Sequence, residues 1–386
     1  MKVLNKQNLK LLPILSALLV GCNATDSKTA ATAVQGPMNI KSSYYATLPN
    51  GEVVNEYTLT SDAGLEVSII SYGGIITSLK APDRNGKLAD VVLGYDSIDG
   101  YLTDTNYFGA LIGRYGNRIG KGQFAIDGVK YQLDTNNGEN HLHGGHQGYD
   151  SKNWAVTPYE ADGHVGLKMQ LISPDGDGGF PGNAAIQVDY RLVGNELIMD
   201  YKATTDKKTH INLTQHSYFN LAGEGDILDH KLTIPAQYIT PVDTGLIPTG
   251  EFMPVQGTPF DFTSAKAIGK EINAKDQQLE YGLGYDHNWV LNKEHTGEFK
   301  LSAKLEHEKS GRVLEIYSSE PAIQFYSGNF LNGTAKGKGR TFEHRTGLCL
   351  EPQHFPDSPN KPHFPSTQVN PGEVYQMKMS FKFSTN

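Results

Sequence analysis

The chain has 386 residues, with 34 lysines and arginines against 42 aspartates and glutamates, a formal charge of −8 at pH 7. That acidic balance argues against a nucleic-acid partner, and the glycine-rich, aromatic-rich composition is that of a globular chain, not a disordered one. Two cysteines, Cys22 and Cys349, are too few for a disulfide framework or a thiolate metal cluster.

In chain order, residues 1–21 come first and read as an export signal. Lys2, Lys6 and Lys10 form a cationic start to an apolar run from Leu11 to Val20. At about ten residues the run is too short for a spanning helix, which needs about 20. It closes in Leu19-Val20-Gly21-Cys22, similar to the bacterial lipobox, in which the cysteine becomes the lipidated N-terminus after cleavage. A buried N-terminal helix with an incidental Cys22 is the competing reading. Cleavage would remove three lysines and no acid, leaving 31 cationic against 42 acidic residues and a charge of −11. Residues 22–40 are small and polar without periodicity, as in a tether. The expectation is an exported, periplasmic protein that meets a bacterial membrane only through a lipid on Cys22, with its folded domain at 41–386.

The domain then proceeds in short alternating runs. Glu66 to Lys80, Ile186 to Tyr201, His230 to Pro241 and Arg312 to Gly328 carry β-branched and aromatic residues at period two, and Gly194-Asn195 marks a hairpin turn within the second of them. Ala265 to Tyr281 is the main candidate for a helix. Many strands, scarce helix and no composition break predict one large all-β domain, a sandwich or barrel.

Four polar segments interrupt these runs. The first, Gly113 to Gly122 (GRYGNRIGKG), puts Arg114, Asn117 and Arg118 in a glycine-rich turn, where guanidinium and amide groups can donate hydrogen bonds to a ligand. Next, Asn136 to Gly148 (NNGENHLHGGHQG) brings His141, His143 and His146 together. Histidines at i and i+2 on a strand share a side, so a metal site, a sugar-hydroxyl contact and a structural turn are all open readings there. In THINLTQHSYFNLAG, His216 projects opposite Gln215 and is the natural group to hold a proton near neutrality. Finally, in LCLEPQHFPDSPN, Glu351 stands at the apparent end of a buried strand, where poor hydration raises a carboxyl pKa toward that of a general base; a surface pair with Arg345 is the alternative. Asp286 and Gln324 add polar groups in GYDHNWV and PAIQFYSGNF. No GxSxG elbow, Walker loop or complete GxGxxG occurs.

Taken together, SYGGIITSLKAPDRNGKLADVVLGYDS, GRYGNRIGKG, NHLHGG, DGGFPG, TQHSYFNL, DHNW, IQFYSGNF and LEPQHFPDSPN resemble, in order, the aldose 1-epimerases, the galactose mutarotases. The resemblance covers most of the chain from about Tyr72 to Gly372. It implies a large antiparallel β-sandwich with His216 as general acid and Glu351 as general base. It also implies sugar contacts from Asn117, Arg118, His143, Ser217, Tyr218, Asp286 and Gln324. His141 and His146 receive no role. One departure is minor: Gly178 and Phe180 stand in PDGDGGFPG where an acidic residue and a tyrosine are more frequent.

The implied substrate is a free monosaccharide such as glucose or galactose, whose anomers interconvert by ring opening and reclosure. Glu351 would start ionised and His216 protonated, giving a bell-shaped pH profile with its alkaline limb set by His216. No electrons move, so neither a cofactor nor a metal is expected. Rival readings are a hexose-phosphate mutarotase of the same fold, a non-catalytic sugar-binding lipoprotein, and a retaining glycosidase. The first would want more cations than one arginine-bearing motif offers, the second would be expected to lose His216 or Glu351, and the third needs a second carboxylate about 5 to 5.5 Å from the first.

Overall fold

Alternation governs how the strands bury themselves. In Ala184–Val193 the side chains of Ile186, Val188, Tyr190 and Leu192 are buried while Gln187, Asp189 and Arg191 between them reach solvent, and the next strand, Glu196–Thr205, repeats the pattern through Leu197, Met199 and Tyr201. Gly194 joins the two at φ 54°, a left-handed backbone that glycine adopts without a Cβ clash. The computed structural model describes residues 37–103, 105–293 and 297–386; the predicted signal, Cys22 and most of the predicted tether lie outside them. Strand structure begins at Asn39, just ahead of the expected boundary at residue 41.

Two large sheets dominate. Nine strands pair in the order Ala155–Ala161, His164–Ser173, Ala184–Val193, Glu196–Thr205, Tyr375–Thr385, Arg312–Ser318, Lys300–Glu306, Lys231–Thr233 and Lys266–Ala267. Six more pair in the order Tyr218–Phe219, Leu348–Gln353, Ala322–Tyr326, Asp286–Leu291, Ala236–Thr240 and Met253–Pro254. A five-stranded sheet built from residues 39–90 adds a further layer, and all these pairings are antiparallel. Tyr190, Met199, Leu314, Ile316 and Met379 of the first sheet share one core cluster with Trp289, Ile323, Phe325, Leu348 and Leu350 of the second. The antiparallel β-sandwich expected from the sequence is therefore the fold.

The segment read as a helix, Ala265 to Tyr281, is mostly something else. Lys266–Ala267 pairs with the sheet edge at Lys231–Thr233, Ile268–Lys270 is a 3₁₀ turn, and the α-helix runs only from Gln277 to Gly282. Tertiary pairing overrides local helix propensity at its start, and Asp276 caps the short helix by accepting from Gln278 N–H at 2.8 Å.

The six-stranded sheet places the chemistry. Cross-strand partners share a face, and the registers Asn288↔Gln324↔Glu351 and Asp286↔Tyr326↔Cys349↔Tyr218 put eight polar or sulfur-bearing positions, Gln353 included, on one face. The alternate residues Phe219, Trp289, Ile323, Phe325, Leu348 and Leu350 form the other face and belong to the core. Period two thus sorts one sheet into a packing face and a polar face.

Candidate active site

A pocket opens on that polar face. It is lined by Asn117, Arg118, His143, His216, Tyr218, Asp286 and Glu351 together with Thr105, Asn106, Tyr107, Leu142, Tyr326 and Phe330. Seven of the nine side chains singled out for catalysis or sugar contact therefore meet around one cavity.

Two do not line it. Ser217 lies between His216 and Tyr218 and points away; Gln215 Oε1 accepts its N–H at 2.8 Å, and its buried Oγ has no hydrogen-bond partner among the described residues. Gln324 stands behind the wall and donates from Nε2 to Asp286 Oδ1 at 2.8 Å, so it orients a pocket carboxylate. Arg114, in the same turn as Asn117, is a buried strut donating to the Pro181 carbonyl at 2.8 Å and to Ser173 Oγ at 2.7 Å. His141 likewise packs in a separate core with its ring 5.2 Å from that of Phe180 and its Nδ1 2.9 Å from the Asp134 carbonyl, while His146 is exposed. The expected shared side for His141 and His143 fails because the strand ends at Leu142 and His143 turns to φ 53°.

Glu351 is not at a strand end. It sits inside Leu348–Gln353, all six residues of which are buried, and it makes no pair with Arg345, which bonds Asn273 Oδ1 instead. Its Oε2 lies 3.6 Å from His216 Nε2 and has no hydrogen-bond partner among the described residues. Burial pushes the Glu351 carboxyl well above the ordinary carboxylate range, with the Asp286 charge adding and Arg118 opposing. Burial also pulls His216 down to about 4. Burial therefore disfavours the charged form of each group, the form expected of both from the sequence.

The remaining groups set the surroundings. Arg118 Nη2 faces Asp286 Oδ2 at 3.7 Å, and its Nε donates to Asn137 Oδ1 at 3.1 Å. Burial raises Asp286, while Arg118 and the Gln324 amide pull it back. Asn117 Oδ1 accepts from Arg118 N–H at 2.8 Å, fixing the backbone from which the guanidinium projects. The His216 ring packs among Tyr107, His143 and Tyr218, with centroids 5.7, 5.0 and 5.3 Å away.

Ligand atoms of His143, His216 and Glu351 lie within 4.8 Å of one another, which raises the metal reading again. The donor set does not fit it. His143 Nδ1 accepts the Asn117 N–H at 3.1 Å, so its proton sits on Nε2 and that nitrogen has no lone pair to give. Metal-bound histidines show the opposite arrangement, donating their second N–H to an acceptor.

Thr105, Asn106, Tyr107, Leu142, Tyr326 and Phe330 went unnoticed in the sequence as site residues. Tyr326 and Phe330 fall inside the IQFYSGNF segment and could have been found by extending the period-two face from Gln324. Nothing local marks Thr105 to Tyr107, which reach the pocket through the loop after the Ile98–Thr103 helix.

Comparison with known proteins points to one family. The family model described as aldose 1-epimerase matches residues 55–382. The chain is 45% identical over 351 residues to a galactose mutarotase of Bos taurus, covering 90% of this chain and 99% of that protein. It is 39% identical over 342 residues to an aldose 1-epimerase of Escherichia coli strain K12, covering 88% and 97%. Among solved structures it is similar to the galactose 1-epimerase of Lactobacillus acidophilus NCFM, with a TM-score of 0.80 at 29% identity over 91% of this chain and all of that one.

Proposed function

The chain belongs to the aldose 1-epimerase family, and from that premise we propose that His216 and Glu351 are the acid and base with which it interconverts the α and β anomers of free hexoses. The enzyme is an isomerase, and the reaction needs two proton transfers. Glu351 takes the proton from the C1 hydroxyl, the electrons of that O–H bond form the C1 carbonyl, the C1–O5 bond breaks, and O5 receives a proton from His216. Rotation about C1–C2 presents the other carbonyl face. On closure O5 attacks C1 and returns its proton to His216, while Glu351 gives its proton back to O1.

The observation that carries this assignment is the buried approach of His216 Nε2 to Glu351 Oε2 at 3.6 Å across the pocket. Ring opening starts from imidazolium and carboxylate and ends with imidazole and carboxylic acid, so the pair holds one proton throughout. The neutral pair that burial favours is the form the closing step uses. Arg118, His143 and Asp286 hold the non-reacting hydroxyls, Asn117 lines the pocket and holds His143 and Arg118 through its hydrogen bonds, and Ser217 and Gln324 stand behind the wall.

Polarimetry on freshly dissolved α-D-galactose or α-D-glucose tests the assignment. His216→Asn and Glu351→Gln are each expected to lose about 10² to 10⁴ in rate, and the double variant little more, because the two act as a unit. Near-full rate in either single variant would refute the pair. A hexose-phosphate substrate is disfavoured by the pocket itself, where the guanidinium of Arg118 already faces Asp286.

We further propose that the protein is exported and carried on a membrane by a lipid at Cys22. The support is the cationic start, the short apolar run and the Leu19-Val20-Gly21-Cys22 close. Cys22→Ala is expected to move the protein from the membrane to the soluble fraction, and unchanged partitioning would overturn the anchor.

A further inference from the structure

His143 and His216 stand edge to face in the pocket, 5.0 Å between centroids at 89°, yet their Nδ1 atoms face different kinds of partner. His143 Nδ1 accepts the Asn117 backbone N–H at 3.1 Å, and the His143 N–H returns the contact to the Asn117 carbonyl at 3.2 Å. Both residues hold left-handed backbone, φ 53° for His143 and 64° for Asn117, a conformation uncommon for residues with a Cβ and held here by that reciprocal pair. A backbone N–H can only donate, so Nδ1 must keep its lone pair and the single ring proton must sit on Nε2. At His216, Nδ1 meets the Cys349 sulfur 3.6 Å away. A thiol can accept a hydrogen bond as well as donate one, so it leaves Nδ1 free to carry a proton.

We infer that these Nδ1 partners divide the work of the two histidines: the Asn117 N–H fixes His143 as a neutral Nε2–H donor to a substrate oxygen, leaving His216 as the histidine that can carry a second proton. Asn117 is thereby a positioning residue acting through its main chain. Burial opposes a positive charge on His143, and so do the charged or titratable His216, Arg118 and His141 near it; the Tyr107 ring covers another side at 4.8 Å. A second proton on His143 would have to enter at Nδ1, against the Asn117 N–H. His216 meets Glu351 at its other nitrogen, with the rings of Tyr107 and Tyr218 beside it and Asp286 and Arg118 farther along the wall. The inference rests on His216 being the acid, and its tests separate the two ideas.

Ring ¹⁵N spectra of the histidine-labelled protein, with signals assigned by their loss in His143→Gln, read the tautomers directly. His143 is expected to show a protonated Nε2 and a bare Nδ1 with no change from pH 5 to 9. A His143 signal that titrates in that range, or that carries its proton on Nδ1, overturns the inference. His143→Gln keeps an N–H donor and should hold kcat/KM within about tenfold of wild type with both pH limbs unmoved, whereas His143→Leu should lose about 10- to 100-fold. Limbs displaced in His143→Gln would also overturn it. Should that variant fail to fold, assignment through His143→Leu leaves the spectra decisive. If His216→Asn keeps its rate, the acid assignment falls whatever the spectra show; if it is inactive while His143 titrates, only this inference falls.

Discussion

Burial sets the protonation of the proposed acid–base pair, His216 and Glu351, and hence the expected pH profile. Catalysis needs one proton on the pair. As pH falls, the second proton goes onto His216, whose affinity burial has pulled down to about 4, and no base is left. As pH rises, the last proton leaves Glu351, which burial holds well above the carboxylate range, and no acid is left. The profile of kcat/KM should therefore be bell-shaped with an acid limb near pH 4, well below the ordinary imidazole value of about 6.5. Measured with buffered polarimetry, an acid limb at 6 or above would show that burial does not depress the His216 imidazole. The sequence alone puts the alkaline limb on His216, because spacing reveals which residues carry protons but not how dry their surroundings are. The same limit explains Ser217 and Gln324: both stand beside the right neighbours, but only the pleat and the register decide which faces the cavity. Arg114 was equally unreadable, since four residues along one turn separate a buried strut from the pocket guanidinium of Arg118.

At the scale of elements, the loop after the Glu351 strand clamps the strand that carries Arg118. Asp357, buried and at φ 55°, accepts from Gly120 N–H at 3.0 Å and donates its own N–H to the Arg118 carbonyl at 2.8 Å. Through these bonds the two halves of the site, distant in sequence, are held in register. Asp357→Ala removes the acceptor and puts an alanine in left-handed backbone; we expect KM to rise about 5- to 20-fold with a smaller change in kcat, and a stability loss of about 1 to 3 kcal/mol. Asp357→Asn keeps an oxygen for Gly120 and tolerates that backbone, so it should restore KM to within about threefold. Equal effects of the two variants in initial-rate and denaturant measurements would argue against the clamp. The strands themselves were legible from period two, including the hairpin at Gly194-Asn195. What the sequence could not tell was that Lys266–Ala267 would find an open sheet edge, which turned an expected helix into a strand, a 3₁₀ turn and a single short helix.

Across the whole molecule, histidines buried away from the pocket tie stability to pH. Burial lowers His141, His210 and His230 to about 4 and His287 to about 3, each from an ordinary value near 6.5. A base whose folded affinity is depressed binds fewer protons folded than unfolded, so acid favours the unfolded chain. The stability these four contribute is complete above pH 6.5 and is lost as pH falls through about 4, each adding a slope of at most about 1.4 kcal/mol per pH unit within that window. His354 has the opposite sign: its 2.5 Å contact with the buried Glu320 outweighs burial and raises it, so its contribution is present below 6.5 and fades as pH rises. His143, His216, His307 and His344 are lowered too, so depressed histidines outnumber the raised His354, Asp286 and Glu351, and the melting temperature is expected to fall from pH 6.5 to 4. Replacing His287, whose ring packs against Phe260 at 4.8 Å inside the aromatic core, isolates one share of that slope. His287→Gln removes the titration and should flatten the decline between pH 6.5 and 4 by about 1 kcal/mol per pH unit, even where the packing change lowers stability at pH 7. A variant whose stability falls as steeply with acid as the wild type would show that the buried imidazole is not what acid attacks.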